Sequence, residues 1–94
     1  MAELVLCVFT HPACPRCPAA VEMAWRLSEE FRDMKLKTVK LENKEGLSFA
    51  QKLHVKTIPT MIFFKNGKEE KRFVGLPKPE ELKAEFVRLS DTET

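Results

Sequence analysis

Residues 4–17 of the chain read LVLCVFTHPACPRC, an apolar run that leads into two prolines and two closely spaced cysteines. The run from Leu4 to Phe9 is rich in β-forming side chains and is closed by His11-Pro12, a pattern typical of a strand buried on both faces. We therefore predict a central strand of a sheet. The motif Cys14-Pro15-Arg16-Cys17 follows directly, so the two cysteines lie where this strand gives way to the next element.

The stretch after the motif has the period of a helix and then that of a strand. Apolar residues recur in steps of three and four with charged residues between them, which predicts a long amphipathic helix with the face Ala20, Ala24, Leu27, Phe31 and Met34. The lysines Lys35, Lys37 and Lys40 then alternate with less polar residues, which predicts a strand with one polar face. The less polar face comprises Leu36, Leu41 and either Thr38 or Val39. A strand, a helix and a second strand imply a parallel pair with a right-handed crossover.

The second half of the chain predicts a short helix, a hairpin and a final helix. The short helix covers Glu45 to Leu53, with apolar residues three apart at Leu47, Ala50 and Leu53. Asn66-Gly67 separates the strands Thr60 to Phe64 and Glu69 to Val74, and suits the positive φ angles of a two-residue turn. Pro79 suits the first position of the last helix. The predicted order is βαβαββα.

Length and charge limit what the chain can be. Ninety-four residues form one domain, 1–94, and we expect a frayed polar end at about 90–94. The 16 basic and 14 acidic residues are interspersed, so nucleic-acid binding is not predicted. The longest apolar run is far shorter than the ~20 residues of a membrane helix, and the chain start lacks the basic residues of a signal peptide. We expect a soluble, cytoplasmic monomer without a membrane partner.

The spacing of Cys14 and Cys17 indicates chemistry, because three cysteines are too few for a disulfide scaffold. Backbone N–H groups at a helix start lack intrahelical partners and the helix dipole is positive there, which favours a thiolate. We predict that Cys14 is the nucleophile and that Arg16 lowers its pKa further. Two intervening residues let Cys17 attack a mixed disulfide on Cys14, as the resolving cysteine.

Pro18 complicates the start of this helix. If Cys14 were the N-cap, Pro18 would take the fourth helical position and leave the Cys14 carbonyl without its usual helical bond. Either the helix begins near Pro18 or its first turn is irregular. Both arrangements leave unpaired backbone donors around the sulfurs.

Other candidate residues have structural as well as functional interpretations. A Cys-x-x-Cys motif can be half of a zinc site, for which only Cys7, His11 and His54 would remain as ligands. Cys7 lies mid-strand among apolar residues and is interpreted as a buried, inert side chain. His11 is interpreted as a loop residue with little or no influence on Cys14, and His54 as a favourable cation at a helix end. Trp25 is interpreted as core or as surface cover for the sheet. We expect neither a metal nor a cofactor.

Four short segments form one pattern along the chain: Cys14-Pro15-Arg16-Cys17, Ile58-Pro59-Thr60, Phe64-Lys65-Asn66-Gly67 and Val74-Gly75. This pattern resembles the thioredoxin/glutaredoxin superfamily over essentially the whole chain, and is similar to its small, archaeal-type members because the extra N-terminal strand and helix of full-length thioredoxins are missing. The resemblance implies an α/β, thioredoxin-like fold with a four-stranded mixed sheet in the order 2-1-3-4. Helices would cover both faces, and the dithiol would lie at the carboxyl end of strand 1.

The resemblance also implies roles for residues away from the cysteines. Pro59 would be a cis-proline facing the disulfide, although an X–Pro bond is cis in only about 5–6% of cases on general grounds. Ile58 would offer backbone hydrogen bonds to an extended substrate segment, and Gly75 would let that segment approach. The implied docking surface comprises Ala13, Pro15, Arg16, Ile58, Pro59 and Gly75.

The chain departs from the family pattern at several positions. Ala13 replaces the usual Trp before the first cysteine, and Pro15-Arg16 replaces Gly-Pro between the cysteines. Val8 replaces the buried Asp of thioredoxins, so proton transfer from Cys17 would rely on water or on Lys40, which takes the place of the family's lysine. The glutathione-binding Gly-Gly pair of glutaredoxins, with its following acid, is also missing.

We therefore predict a protein dithiol–disulfide oxidoreductase that reduces disulfides in target proteins and is recycled by a thioredoxin-reductase-type enzyme. Pro15, Arg16 and Lys40 would tune the pKa values of its cysteines. Two alternatives remain: a glutaredoxin-type enzyme linked to glutathione, and a non-catalytic metal-binding or redox-sensing module.

Overall fold

The computed structural model describes residues 3–91. Within these residues the predicted order βαβαββα is confirmed. The elements are β1 (Leu4–Thr10), α1 (Cys17–Glu30), β2 (Lys35–Lys40), α2 (Lys44–Lys52), β3 (Thr60–Lys65), β4 (Lys68–Val74) and α3 (Pro79–Asp91).

The four strands form one mixed sheet in the order β2-β1-β3-β4, as predicted. β1 runs parallel to β2 and antiparallel to β3, and β3 runs antiparallel to β4. Asn66 and Gly67 form the turn between β3 and β4 with φ angles of 53° and 82°. Glu3 ties this turn to the start of β1, since its N–H donates to Asn66 Oδ1 at 2.9 Å and its carbonyl accepts the Asn66 N–H at 2.8 Å.

β1 is buried on both faces and divides the core into two layers. Leu4, Leu6 and Val8 pack with α1 and α3, whereas Cys7 and Phe9 pack with α2. Burying a Leu or Phe side chain contributes roughly 1.5–3 kcal/mol, so the alternation of side chains along β1 fixes helices to both sides of the sheet. The absence of polar side chains from Leu4 to Phe9 follows from this position.

The strand register brings four strand ends to one edge of the sheet. Thr10 at the end of β1 pairs with Lys40 at the end of β2, and Phe9 pairs with Thr60 at the start of β3. Thr60 in turn pairs with Val74 at the end of β4. The loops that continue from these ends carry the two cysteines, Pro59 and Gly75, and we call this side of the sheet the dithiol edge.

Three details differ from the sequence-based expectations. α1 ends at Glu30, so Phe31 and Met34 lie beyond the helix, and the Phe31 ring packs on Phe86, 4.5 Å between centroids. Leu47 is 44% exposed, because α2 turns Phe49 and Ala50 toward the sheet and Leu47 lies on another side of the helix.

The third difference concerns the end of the chain. Ser90 and Asp91, expected in the frayed end, belong to α3, whose inward face places Leu82, Phe86 and Leu89 in the core. The remainder of that expectation, 92–94, lies outside the described residues. Among residues 3–91, no helix has the length and apolarity that crossing a membrane requires.

Candidate active site

A disulfide joins Cys14 and Cys17 at the dithiol edge, with their Cα atoms 5.4 Å apart. Cys14 lies in the loop after β1 and is half-buried. Cys17 is the first residue of α1 and is only 3% exposed. One sulfur-bearing residue is therefore reachable from solvent and the other is covered.

The backbone around the cysteines forms a turn that leads into α1. The Cys14 N–H donates to the His11 carbonyl at 3.0 Å, and the Cys17 N–H donates to the Cys14 carbonyl at 3.4 Å. Arg16 is the N-cap residue and Pro18 takes the second helical position, where a missing N–H costs nothing because the first N–H groups of a helix have no intrahelical partner. The helix thus begins near Pro18, the first of the two arrangements considered, and its positive end faces the disulfide.

A groove of about 570 Å³ runs along the α1 side of the disulfide. Its wall combines both cysteines with residues from the end of β1 and the loop after it, from α1, and from the end of β2 and just beyond: Thr10, His11, Pro12, Pro18, Val21, Glu22, Trp25, Lys40 and Glu42. Trp25 is 53% exposed and lines this groove, so its interpretation as core is wrong. Sequence reasoning also missed Val21 and Glu22, although their spacing from Pro18 and Trp25 places all four on adjoining faces of α1.

The two positions that the sequence analysis connects with the Cys17 proton, Lys40 and Val8, have different surroundings. Lys40 is exposed and lines the groove together with both cysteines. Val8 is fully buried in the layer that α1 covers. The groove therefore supplies an ammonium group near the dithiol, while β1 supplies an apolar side chain at Val8.

The peptide bond between Ile58 and Pro59 is cis, the conformation that the family resemblance implies. Pro59 is buried and Ile58 is half-buried. The Gly75 N–H donates to the Pro59 carbonyl at 2.8 Å, which holds the end of β4 against the start of β3. Gly75 has a φ of 91°, and apart from its two chain neighbours no residue has an atom within 4 Å of where a Cβ would stand, so the surface above it is open.

The other docking candidates lie on the loop before α1. Ala13, Pro15 and Arg16 are all exposed, and none of the three lines the groove on the α1 side. Through the strand register, this loop, Ile58-Pro59 and Gly75 share the dithiol edge.

The third cysteine and second histidine lie elsewhere. Cys7 is buried in the layer that α2 covers, and burial raises the pKa of its thiol from 9.0 to about 11, against a smaller lowering by Lys37. His54 is exposed just after α2, with a φ of 58°. Within residues 3–91, no three His, Cys, Asp or Glu side chains converge as a metal site would require.

The fold and the site together define a class of protein. A helix start that bears a disulfide, with one exposed and one buried cysteine at the edge of a mixed sheet, is the arrangement of a dithiol–disulfide oxidoreductase.

Comparison with known proteins gives the family. The thioredoxin family model matches residues 1–88. Thioredoxin from Bacillus subtilis is 36% identical over 84 residues, which cover 89% of this chain and 79% of that protein. A protein described as probable thioredoxin from Methanothermobacter thermautotrophicus is 36% identical over 84 residues, 89% of each chain. The chain spans about half the length of several chloroplast thioredoxins that it also matches.

A solved structure agrees with these relatives. Thioredoxin from Fasciola hepatica superimposes with a TM-score of 0.80 at 27% identity, covering 92% of this chain and 80% of that one. The chain belongs to the thioredoxin family, whose members are thiol–disulfide oxidoreductases.

Proposed function

We propose that the protein reduces disulfide bonds in other proteins, with Cys14 as the nucleophile and Cys17 as the resolving cysteine. The observation that carries this assignment is the unequal exposure of the pair, since Cys14 is half-buried and Cys17 is only 3% exposed. An attacking sulfur must approach a target disulfide, whereas a resolving sulfur needs to reach only its neighbour.

The reaction transfers two electrons in two exchanges. The Cys14 thiolate attacks one sulfur of the target disulfide, forms a mixed disulfide, and releases the other target sulfur as a thiolate that takes up a proton. Cys17 then loses its proton and attacks the Cys14 sulfur, which frees the second target sulfur and forms the Cys14–Cys17 disulfide. The target gains two electrons and two protons, and the protein dithiol loses them.

The surroundings of the pair support thiolate formation at Cys14. The start of α1 supplies the positive end of its dipole. Arg16 adds a cation in the same loop, and Pro15 shapes the turn between the cysteines. Lys40, on the groove wall, is the side chain proposed to help water take the proton from Cys17.

The target segment is proposed to bind in extended form across the dithiol edge. Ile58 and Pro59 precede β3, and the open surface above Gly75 allows another backbone to approach. Ala13 continues this surface on the loop before Cys14. The cis bond at Pro59 is part of the docking surface in this proposal.

The cycle needs an external reductant, and we assign this role to an enzyme of the thioredoxin-reductase type. A dithiol that donates electrons suits a reducing compartment, so we propose that the protein acts in the cytoplasm as a single-domain monomer, 1–94. The family relation to thioredoxins supports this choice over recycling by glutathione.

Insulin reduction by the dithiol form tests the assignment. Wild-type protein with NADPH and thioredoxin reductase is expected to reduce insulin, and Cys14→Ser to have no activity, because a hydroxyl supplies no thiolate at neutral pH. Cys17→Ser is expected to accumulate a covalent complex with the target through Cys14. Trapping by Cys17 in the Cys14→Ser variant would reverse the two roles, and faster recycling by glutathione would favour the glutaredoxin alternative.

A further inference from the structure

The side chain of His11 closes a turn just ahead of Cys14. Its Nδ1 accepts a hydrogen bond from the Ala13 N–H at 3.0 Å. Its carbonyl accepts the Cys14 N–H, also at 3.0 Å. One residue therefore holds the two amide groups that precede the Cys14 side chain, and its own side chain lines the groove beside the disulfide.

We propose that His11 is a positioning residue whose neutral imidazole fixes the loop that presents Cys14 to a target disulfide. The proposal rests on the function proposed above. A ring nitrogen accepts a hydrogen bond only while it is unprotonated, and both ring nitrogens are donors in the imidazolium. Imidazole side chains change charge between about pH 5 and 8. Protonation of His11 therefore breaks the bond from Ala13 and loosens the loop, which slows attack by Cys14.

Charged groups from α1 and from the end of β2 line the same groove. Glu22 on α1, Glu42 after β2 and Lys40 at the end of β2 line this groove together with His11. Cys14 lies in the same loop as His11. An imidazolium at His11 attracts the Cys14 thiolate and so favours attack, whereas loosening of the loop slows attack. Salt separates these effects, because the Debye length falls to about 3 Å at 1 M while a direct hydrogen bond persists.

Two substitutions at His11 separate hydrogen bonding from titration. His11→Asn keeps an acceptor, because an Asn side chain bonds the backbone N–H two residues on, which here is that of Ala13, and Asn does not titrate. His11→Ala removes the acceptor altogether. The matched control is His54→Asn, which removes the exposed histidine after α2, where Asn tolerates the positive φ.

The experiment measures the rate constant of insulin reduction by the dithiol forms in about 1 M salt, from about pH 8 to 5.5. At pH 8 we expect His11→Ala to be slower than wild type by about 2- to 10-fold, the range of one net hydrogen bond, and His11→Asn to stay within about twofold. As the pH falls, the rate constant of wild type divided by that of His11→Asn is also expected to fall, by about 2- to 10-fold. His54→Asn should follow the wild-type profile.

The proposal is overturned if the ratio of the wild-type rate constant to that of His11→Asn stays constant or rises as the pH falls. Equal rate constants for His11→Ala and wild type at pH 8 would overturn it too. NMR of the Ala13 amide gives a readout independent of turnover: its resonance is expected to move with pH in wild type and to stay fixed in His11→Asn. If no variant reduces insulin, the proposed function fails, and the Ala13 amide still decides whether His11 holds the turn.

Discussion

Gly46 shows how a single hydrogen atom in place of a side chain sets the distance between two elements. At this position α2 passes so close to the end of β2 that a Cβ atom would lie 2.0 Å from the Lys40 carbonyl oxygen. The obstructing atoms belong to the backbone, so they cannot rotate away as a flexible side chain would. Gly46 therefore lets α2 begin immediately beside the strand end that carries Lys40 to the groove.

Gly46→Ala is expected to lower the free energy of unfolding by about 1–3 kcal/mol, because the added methyl group forces the backbone of α2 and β2 apart. Helix propensity alone would favour Ala by about 1 kcal/mol, so the sign separates the two effects. Ser48→Ala, on the exposed side of the same helix, is the control and is expected to raise stability slightly. Urea unfolding of the three proteins measures this, and a Gly46→Ala variant more stable than wild type would contradict it.

Cys7 predicts a pH dependence of stability. Burial raises the pKa of its thiol to about 11, so between pH 9 and 11 the folded protein keeps a proton that the unfolded chain releases. The unfolded state then binds fewer protons, and stability falls as pH rises through this window. The free energy of unfolding of the disulfide form of wild type is expected to fall relative to that of Cys7→Ala from pH 9 to 11. Below pH 8.5 the two curves of unfolding free energy against pH are expected to be parallel. Parallel curves throughout would show that the Cys7 thiol has the same pKa in the folded and unfolded protein, against this prediction.

Cys7→Ser tests the same site at neutral pH. The hydroxyl would lie among apolar side chains of the layer that α2 covers, at an expected cost of about 1–2 kcal/mol in the free energy of unfolding. Its activity in insulin reduction is expected to match wild type, because Cys7 takes no part in the exchange. Loss of activity with the fold intact would make Cys7 a redox partner.

At the scale of elements, the end of α2 is strained at His54. This residue has a φ of 58° and follows the C-cap Leu53, and the Val55 N–H donates to the Ala50 carbonyl at 2.9 Å. Left-handed backbone at this position suits glycine, since a Cβ atom crowds the neighbouring carbonyl. The sequence interpretation of His54 as a cation at a helix end did not include this conformation.

His54→Gly is expected to stabilise the protein by up to about 1 kcal/mol, because relief of the left-handed strain exceeds the entropy that glycine adds to the unfolded chain. His54→Ala keeps a Cβ atom and is the matched control, with no gain expected. Thermal unfolding of both variants distinguishes backbone strain from loss of the imidazole. Equal stabilisation by Ala and Gly would attribute the effect to the imidazole instead.

Elements with local signals were predictable from the sequence, and those set by distant contacts were not. The continuous apolar run of β1 and the Asn66-Gly67 turn each follow from short-range preferences. The spacing alone predicts Leu47 on the apolar face of α2, but Phe49 packs on Phe9, 5.8 Å between ring centroids, and sets the face that the helix turns inward.

The site, too, has features that the sequence predicts and features that it does not. The Cys14–Cys17 spacing identified the disulfide, and the family pattern pointed to Pro59 and Gly75. The bond from the Ala13 N–H to His11 depends on the backbone path of the loop, which residue types alone do not fix. The groove at Trp25 forms where α1 lies beside the ends of β1 and β2, so it depends on contacts between residues far apart in the sequence.

At the scale of the whole molecule, the sheet separates the dithiol from half of the core. α1 carries Cys17 and packs with α3 on one face, whereas α2 packs on the other face against Phe9 and Val39. β1 and β3 lie between neighbours on both sides, and β2 and β4 form the edges of the sheet. The backbone amides of the central strands are therefore expected to be better protected from hydrogen exchange than those of the edge strands.

Amide hydrogen exchange is expected to be slowest in β1 and β3 and at least ~10-fold faster in β4, whose charged strand borders solvent. The β1 amides should exchange only through global unfolding, so their opening free energy should equal that from urea unfolding. Exchange in rising urea concentration, followed by NMR, measures both. Equal protection of β4 and β1 would show that the edge strand opens only together with the core.

The turn at Asn66 and Gly67 lies at the end of the hairpin opposite the dithiol edge. β3 begins beside Pro59 and reaches this turn after six residues, which corresponds to roughly 17–20 Å at about 3.3 Å per residue. Lys68, exposed at the turn, offers an amine for chemical coupling. A molecule attached to a resin or an electrode through Lys68 would therefore present Cys14 away from the support, where a disulfide in solution can still reach it.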